Sequence, residues 1–187
     1  LLFANLAGVL AYPRAKAHDG AARGGELAFL TVNLWGDNAD GDKVMAMIAE
    51  ARPDIVLLQE VSPERLRLLR RLKADYPWQT HCAGRLRCRV AVLSKHPWKR
   101  AQARIVHPGT LPLARVEFGK ALGNLLVLNA HLTRPYRGSQ RQQLRTVERA
   151  IGDWPGPVVL GGDFNATPWS WTLRRFSQDS RLRAAAP

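Results

Sequence analysis

Four apolar runs of the sequence end in polar residues that could share one chemical site. The residues that follow these runs carry carboxylate, imidazole or carboxamide groups: Asn33, Glu60, Asn129, His131, Asp163 and Asn165. Taken singly, each has an ordinary explanation as a cap, a turn residue or a solvent-facing strand end. If the strand ends converge on one edge of the core, they form a site with two carboxylates, one imidazole and several carboxamides. The sequence therefore predicts a site with hard-oxygen and imidazole chemistry.

Strands and helices alternate along the chain in an α/β or α+β order. Apolar runs predict strands at residues 27–33, 54–60, 89–93, 114–118, 125–129 and 157–161. Helical spacing predicts a helix over 42–51 and further helices beginning near Ser62, Ser139 and Thr167. Ser139 has capping-box spacing to a glutamine three residues later, and residues 119–123 are typical of a hairpin turn. Because the strands are continuously apolar, we expect them to lie between layers of other elements.

The composition is that of a globular protein with a large excess of positive charge. Of the 187 residues, 46% are hydrophobic and 23% are charged, which argues against disordered, collagen-like and coiled-coil proteins. Lys and Arg number 28 against 15 Asp and Glu, so the formal net charge is +13. This charge favours an anionic partner such as nucleic acid, a phosphorylated small molecule or an anionic lipid surface. A GC-rich genome that encodes arginine wherever a solvated cation suffices explains it equally well.

The two cysteines, Cys82 and Cys88, do not form a zinc-binding pattern. There is no second cysteine pair, and no histidine stands at ligand spacing. Two interpretations remain open at this point: a local disulfide across a turn, or two free thiols in a reducing compartment. A disulfide would indicate an exported protein.

The N-terminal residues differ in character from the rest of the chain. Residues 1–12 are nearly all apolar, but a bilayer-spanning helix needs about 20 such residues. They could be the end of a membrane helix, the end of a signal sequence, or a strand or helix packed on the core. Residues 11–25 are rich in Gly and Ala, basic and without periodicity. We expect residues 1–25 to be a truncated membrane segment with its linker, and residues 26–187 to form one domain.

Four segments carry a resemblance to a known family. Thr31–Asn33, Leu57–Glu60, Asn129–Leu132 and Gly161–Pro168 occur in the order and approximate spacing of the endonuclease/exonuclease/phosphatase superfamily, which the chain resembles from about Glu26 onward. The resemblance implies an α+β, deoxyribonuclease-I-like four-layer sandwich. It also implies a phosphoester hydrolase that depends on Mg²⁺ or Mn²⁺ and uses an activated water.

A narrower resemblance concerns one branch of this superfamily. The segment Asn33-Leu-Trp-Gly-Asp-Asn38 and the Cys82/Cys88 pair look like the bacterial branch that is tethered by N-terminal membrane helices. This implies an inner-membrane protein whose soluble domain is periplasmic and whose N-terminal helices contact the membrane. We expect the domain to be a monomer.

The resemblance also implies a role for each candidate residue. Glu60 would hold the divalent metal, with Asn33 beside it, and Asp163 would orient and deprotonate the attacking water. His131 and Asn165 would donate hydrogen bonds to the phosphoryl oxygens as negative charge develops. Two arginines would bind flanking phosphates of the substrate, Arg134 and Arg137.

The sequence departs from the family pattern in one respect. Superfamily members carry a C-terminal Ser-Asp-His-like motif, whereas this chain contains no Asp-His dipeptide. We therefore expect a chain that lacks C-terminal strands and has weak or no hydrolase activity on its own. Three functional hypotheses stay open: an enzyme acting on DNA or RNA, a phosphatase acting on a phospholipid or small phosphoester, and a catalytically impaired polyanion-binding module.

Overall fold

Two facing β-sheets form the centre of the protein, because their strands carry apolar side chains that only a second layer can bury. The computed structural model describes residues 10–11, 27–35, 40–83, 88–108, 110–135, 138–167 and 169–184. Within these residues the strands are β1 (Leu10–Ala11), β2 (Phe29–Asn33), β3 (Ile55–Gln59), β4 (Trp78–His81), β5 (Val90–Ser94), β6 (Trp98–Val106), β7 (Leu111–Phe118), β8 (Leu126–His131), β9 (Val158–Asp163) and β10 (Arg183–Ala184). One sheet has the order β10-β1-β9-β8-β7-β6, and the other has the order β2-β3-β5-β4.

Helices cover the outer faces of both sheets. The described helices are α1 (Gly41–Ala51), α2 (Leu66–Arg71), α3 (Gln140–Ile151) and α4 (Trp171–Ser180). Side chains of α1 and α2 pack on the four-stranded sheet, and side chains of α3 and α4 pack on the six-stranded sheet. A third apolar cluster, including Val92, Val116 and Val127, fills the space between the sheets. The predicted α+β four-layer sandwich is confirmed.

Several local predictions differ from the structure in informative ways. The predicted capping box is wrong: Ser139 makes no side-chain cap, because its hydroxyl pairs with Thr133 Oγ1 at 2.8 Å instead. The cap of α4 is Ser170, whose side chain accepts from the Leu173 N–H. The predicted hairpin at residues 119–123 is confirmed, because it joins the antiparallel neighbours β7 and β8; its connection contains a 3₁₀ turn, Lys120–Leu122, that Gly123 ends in the left-handed conformation.

Two of the N-terminal residues form part of the six-stranded sheet. Leu10 and Ala11 form the short strand β1, which pairs antiparallel with both β9 and β10. The other residues of the predicted membrane segment and linker, 1–9 and 12–25, lie outside the described residues. Among the helices that the structure describes, none has the length and apolar character needed to cross a bilayer.

Cys82 and Cys88 form a disulfide, with their Cα atoms 5.4 Å apart. This separation is typical of bridged cysteines. Both side chains are almost fully buried in the apolar cluster between the sheets. The bridge ties the residue that follows β4 to a residue just before β5.

Replacing both cysteines with alanine should lower the free energy of unfolding by about 2 kcal/mol, because the bridge closes a short loop and so removes little entropy from the unfolded chain. The sequence separation of the two cysteines is 6 residues. Urea unfolding of the Cys82→Ala/Cys88→Ala variant, beside the untreated and the reduced parent protein, measures this. Equal stability of all three would contradict the prediction.

Candidate active site

The ends of four strands bring the predicted site residues together at one edge of the sandwich. In the six-stranded sheet β8 and β9 run parallel, and their register places His131 beside Asp163. In the four-stranded sheet β2 and β3 run parallel, with Asn33 beside Gln59, so Glu60 follows directly. Because the two sheets face each other, these ends meet across the gap between them. The sequence expectation of convergence corresponds to what the structure shows for Asn33, Glu60, His131, Asp163 and Asn165.

Asn33 links the two carboxylates across the sheets. Its Nδ2 donates to Glu60 Oε1 at 3.0 Å and to Asp163 Oδ2 at 2.8 Å. Its Oδ1 accepts from the backbone N–H of Trp35 at 2.7 Å. In this arrangement the amide nitrogen of Asn33, and not its oxygen, faces the carboxylates. Asn33 thus contacts both Glu60 and Asp163, and its expected place beside the metal-binding Glu60 stays a prediction.

His131 completes a compact group with these carboxylates. Its Nε2 lies 3.9 Å from Glu60 Oε1 and 3.8 Å from Asp163 Oδ2. One potential ligand atom from each of these three residues lies within 4.8 Å of the others. All three side chains are partly buried, which limits competition from bulk water. Two carboxylate oxygens and an imidazole nitrogen at this spacing fit a hard divalent cation that retains some water ligands.

The loop after β9 is held by hydrogen bonds that fix Asp163. Asp163 Oδ1 accepts from the backbone N–H of Asn165 at 2.8 Å, and the Asp163 carbonyl accepts from the Leu132 N–H at 2.8 Å. Asn165 Nδ2 donates to the Leu132 carbonyl at 2.8 Å. An amide nitrogen carries two hydrogens, so a second donor of Asn165 can serve a ligand. The loops after β8 and β9 are therefore locked to each other.

Two site residues adopt the left-handed backbone conformation that side chains usually avoid. Glu60 has φ 57° and Asn165 has φ 47°. Such a conformation costs of order 1 kcal/mol for each residue and tends to occur where the surrounding contacts enforce it. At Asn165 the enforcing contact is the backbone hydrogen bond to Asp163. Glu60 directly follows β3 and Asn165 lies two residues after β9, and both residues line the cleft at these strand ends.

Asn129 belongs to the core and not to the exposed part of the site. Its Oδ1 accepts from Gln59 Nε2 at 2.7 Å, and its Nδ2 donates to the carbonyls of Leu58 and Ala91 at 2.9 and 2.8 Å. Both Asn129 and Gln59 are fully buried. This network joins β8 to β3 and β5 directly beneath His131. Grouping Asn129 with His131 from the sequence thus combined a structural residue with a site residue.

A cleft of about 830 Å³ opens in front of this group. Its described lining includes Glu60, His131 and Asn165, together with Arg134. Arg134 is exposed, so its guanidinium can reach a ligand in the cleft. The second predicted substrate-binding arginine, Arg137, lies outside the described residues. The cleft combines a carboxylate-imidazole group with a cationic rim, which suits an anionic substrate.

Sequence comparison matches most of this chain to one family. The Endonuclease/Exonuclease/phosphatase family matches residues 30–185. A search of the curated proteins gave no significant match.

Solved structures resemble this fold at low sequence identity. The D. rerio TDP2 humanized by 14 mutations is 19% identical, with a TM-score of 0.63, over 75% of this chain and 63% of that chain. A β-hairpin deletion mutant of beta toxin from Staphylococcus aureus is 18% identical, with a TM-score of 0.67, over 83% of this chain and 72% of that chain. D. rerio TDP2 complexed with a single-strand DNA product is 17% identical, with a TM-score of 0.65, over 81% of this chain and 64% of that chain. The chain thus spans just under two thirds of the length of these two TDP2 structures, and the deoxyribonuclease-I-like fold is confirmed.

Proposed function

Because the chain belongs to the Endonuclease/Exonuclease/phosphatase family, we propose that it is a divalent-metal-dependent phosphoester hydrolase that uses an activated water. The observation that carries the proposal is the convergence of Glu60, His131 and Asp163 from three strand ends, with candidate ligand atoms within 4.8 Å of one another. Asn33 further supports the proposal, because it holds the Glu60 and Asp163 carboxylates next to each other, where their like charges would otherwise repel.

Glu60 is the residue that would hold Mg²⁺ or Mn²⁺, with Asn33 beside it, while Asp163 and His131 face the same space and act on the water and the phosphoryl group. The oxygen-rich donor set is the kind that these hard cations prefer. When bound, the ion supplies a Lewis acid that polarises a phosphoryl oxygen and offsets its negative charge. Asn33 keeps the two carboxylates in place through the hydrogen bonds from its amide nitrogen.

Asp163 is the proposed general base. Its two oxygens each accept one hydrogen bond, from Asn33 and from Asn165, so further lone pairs remain to accept a proton from water. The water oxygen bonds to phosphorus, its proton passes to Asp163, and the phosphoester bond to the leaving oxygen breaks. The leaving oxygen then takes a proton from solvent. The donors on Asp163 fix its direction relative to the phosphorus.

His131 and Asn165 are proposed to stabilise the transition state. His131 Nε2 points into the same space as the two carboxylates, and Asn165 retains an amide hydrogen toward the cleft. Donors already oriented toward developing charge can accelerate a reaction by several kcal/mol of barrier reduction, because they need not reorganise. Arg134 on the rim is proposed to hold a neighbouring phosphate of the substrate, as is Arg137.

Nucleic acid is the substrate class that we favour. The net charge of +13 supports a polyanionic substrate, and the similar fold of D. rerio TDP2 was solved with a single-strand DNA product. A phospholipid or small-phosphoester phosphatase is the second candidate, and a catalytically impaired polyanion-binding module is the third. Hydrolysis separates the third candidate from the other two.

We further propose that the domain, residues 26–187, is a periplasmic monomer tethered to the bacterial inner membrane through its N-terminal residues. The buried disulfide supports an oxidising compartment, because cytosolic proteins seldom keep such bridges. Acid quenching of cells, followed by alkylation of free thiols in denaturant with and without prior reduction, tests the compartment, because the denaturant exposes the two buried cysteines. Labelling without reduction would contradict it.

The test of the proposed function compares the parent protein with Glu60→Gln. We expect the parent to release nitrophenol from a chromogenic phosphodiester only with Mg²⁺ or Mn²⁺. The variant should need roughly tenfold or more metal for half-maximal rate, because a ligand oxygen with negative charge is replaced by a neutral amide. Titration of Mn²⁺ by electron paramagnetic resonance gives the affinity independently of turnover. Equal metal affinity in the two proteins, or metal-independent hydrolysis, would contradict the proposal.

A further inference from the structure

A second anionic-ligand site is suggested by a groove on the outer face of the six-stranded sheet. It lies between β6, β7 and the side of α3, with a volume of about 440 Å³. We name it the arginine groove after the four arginines that line it: Arg100, Arg104, Arg115 and Arg149. Among the described residues that line the groove there is no carboxylate. It is therefore a recess dominated by positive charge.

From Arg100 onward, strand β6 presents its cations on one face. Arg100, Gln102 and Arg104 are exposed and alternate with Ala101 and Ala103, which pack toward the apolar cluster between the sheets. Side chains on one face of a strand recur about every 6.7 Å. The phosphates of an extended single strand of nucleic acid recur at a similar interval. None of the described carboxylates forms an ion pair with Arg100 or Arg104, so both remain available for an anion.

The opposite wall of the groove is more rigid. Arg115 donates through Nε to the Ala150 carbonyl at 3.2 Å, stacks over the Trp154 ring and pairs with Glu117. Arg149 donates to the hydroxyl of Thr146 at 3.0 Å. Burial, and secondarily the charge of Arg100, lowers the pKa of Arg115 below its usual value. Arg100 and Arg115 are thus close enough to repel each other, and a bound anion would relieve that repulsion.

The arginine groove adjoins the candidate active-site cleft. His107 lines the groove, whereas Thr110, three residues later, lines the cleft. The short connection between β6 and β7 therefore separates the two recesses. It is held against α3, because the Thr146 hydroxyl donates to the Pro108 carbonyl at 3.1 Å. An extended ligand that leaves the cleft across this connection enters the groove.

We propose that the arginine groove binds the phosphodiester backbone of a nucleic-acid strand whose scissile phosphate occupies the cleft. The assignment of the scissile phosphate rests on the proposed function, whereas binding by the groove does not require hydrolysis. An anionic membrane surface fits less well. Membrane-surface binding usually adds exposed apolar side chains to the cations. The large exposed apolar residues of the described chain, Trp35, Trp78, Trp169 and Trp171, are all absent from the described lining.

The test measures binding without catalysis. A fluorescein-labelled single-stranded oligonucleotide is titrated with protein in the presence of EDTA, and its anisotropy gives Kd at several salt concentrations. The test variant is Arg100→Gln/Arg104→Gln. The matched control is Arg67→Gln/Arg70→Gln, which removes the same charge from exposed residues of α2, on the outer face of the other sheet. Thermal unfolding of both variants verifies that they are folded.

We expect the groove variant to bind about tenfold more weakly, and the control to stay within about twofold of the parent. The slope of log Kd against log salt should fall in magnitude by about 1.4 for the groove variant, since each lost phosphate contact on a single strand contributes about 0.7. Equal weakening in both variants would overturn the proposal, because it would show a net-charge effect. Unchanged oligonucleotide binding with weakened binding to phosphatidylglycerol vesicles would overturn it in favour of a membrane surface. If the groove variant binds the oligonucleotide more weakly but the parent protein hydrolyses no phosphoester, the proposed function would be refuted, whereas nucleic-acid binding by the arginine groove would be supported.

Discussion

Replacing Asp163 with asparagine should lower the rate of phosphodiester hydrolysis by about a thousandfold, which is the scale on which a general base contributes. The substitution preserves the size of the side chain but replaces the carboxylate with an amide, which is too weakly basic to accept the proton of the attacking water. Initial rates with a chromogenic phosphodiester at saturating Mg²⁺ measure the effect. Saturating metal should restore much of the rate of Glu60→Gln but little of the rate of Asp163→Asn, because only the latter loses the base.

The matched control for this prediction is Asp153→Asn, since Asp153 is exposed and lines a different recess. Both variants lose one negative charge, so a general electrostatic effect would appear in both. In Asp163→Asn the new amide nitrogen must face a donor, either Asn33 Nδ2 or the backbone N–H of Asn165, and this donor–donor contact costs about 1–3 kcal/mol. Thermal unfolding separates that structural cost from the loss of the base. A folded Asp163→Asn protein with near-parental activity would show that another group activates the water.

The positions of the site residues were predictable because they follow apolar runs. Buried strands such as β3 and β9 stand out in the sequence, and the polar residue after each marks the edge of the sheet. The orientation of Asn33 was not predictable, because it depends on a backbone N–H two residues later and on carboxylates from two other strands. Such contacts are made only when the sheets assemble.

Asn129 and His131 show why spacing alone could not separate core from site. They are two residues apart on β8, so they share one face of the strand. Asn129 lies where β3 and β5 cover that face, whereas His131 lies at the end, where the cover stops. The two residues therefore differ in burial, and their burial depends on how far the opposite sheet extends along β8.

Strand β6 was missed because its apolar signal is weak. Its buried face is made largely of alanines, and its other face carries arginines and a glutamine. The alternation is regular, yet a search for apolar runs does not find it. The arginine groove therefore could not be predicted before the strand was seen beside α3. A search for alternating polar and apolar residues would have detected the strand itself, because residues 100–105 alternate in this way.

Replacing Gly162 with alanine should destabilise the fold more than loss of the disulfide or of the Asp163 carboxylate, by about 4 kcal/mol or more. Gly162 lies within β9, is buried and has φ 138°, a region that L side chains rarely adopt. A Cβ at this position would overlap the carbonyl oxygen of Ala130 on the neighbouring strand. Backbone cannot rotate away as a side chain can, so β8 and β9 would have to separate. That separation would also move Asp163 away from His131, since the two residues are partners in the same register.

The control that isolates this overlap is Gly138→Ala. Gly138 also has a positive φ, 72°, but no heavy atom of the described chain lies within 4 Å of a Cβ built there. Its replacement should cost only the conformational strain, about 1 kcal/mol. Thermal unfolding should therefore give a midpoint about 3 °C lower for Gly138→Ala and about 12 °C or more lower for Gly162→Ala. Similar unfolding midpoints for the two variants would mean that β8 and β9 can separate with little loss of stability. In that case the parallel register would not be what holds Asp163 beside His131, and the hydrogen bonds from Asn33 and Asn165 would have to supply that constraint alone.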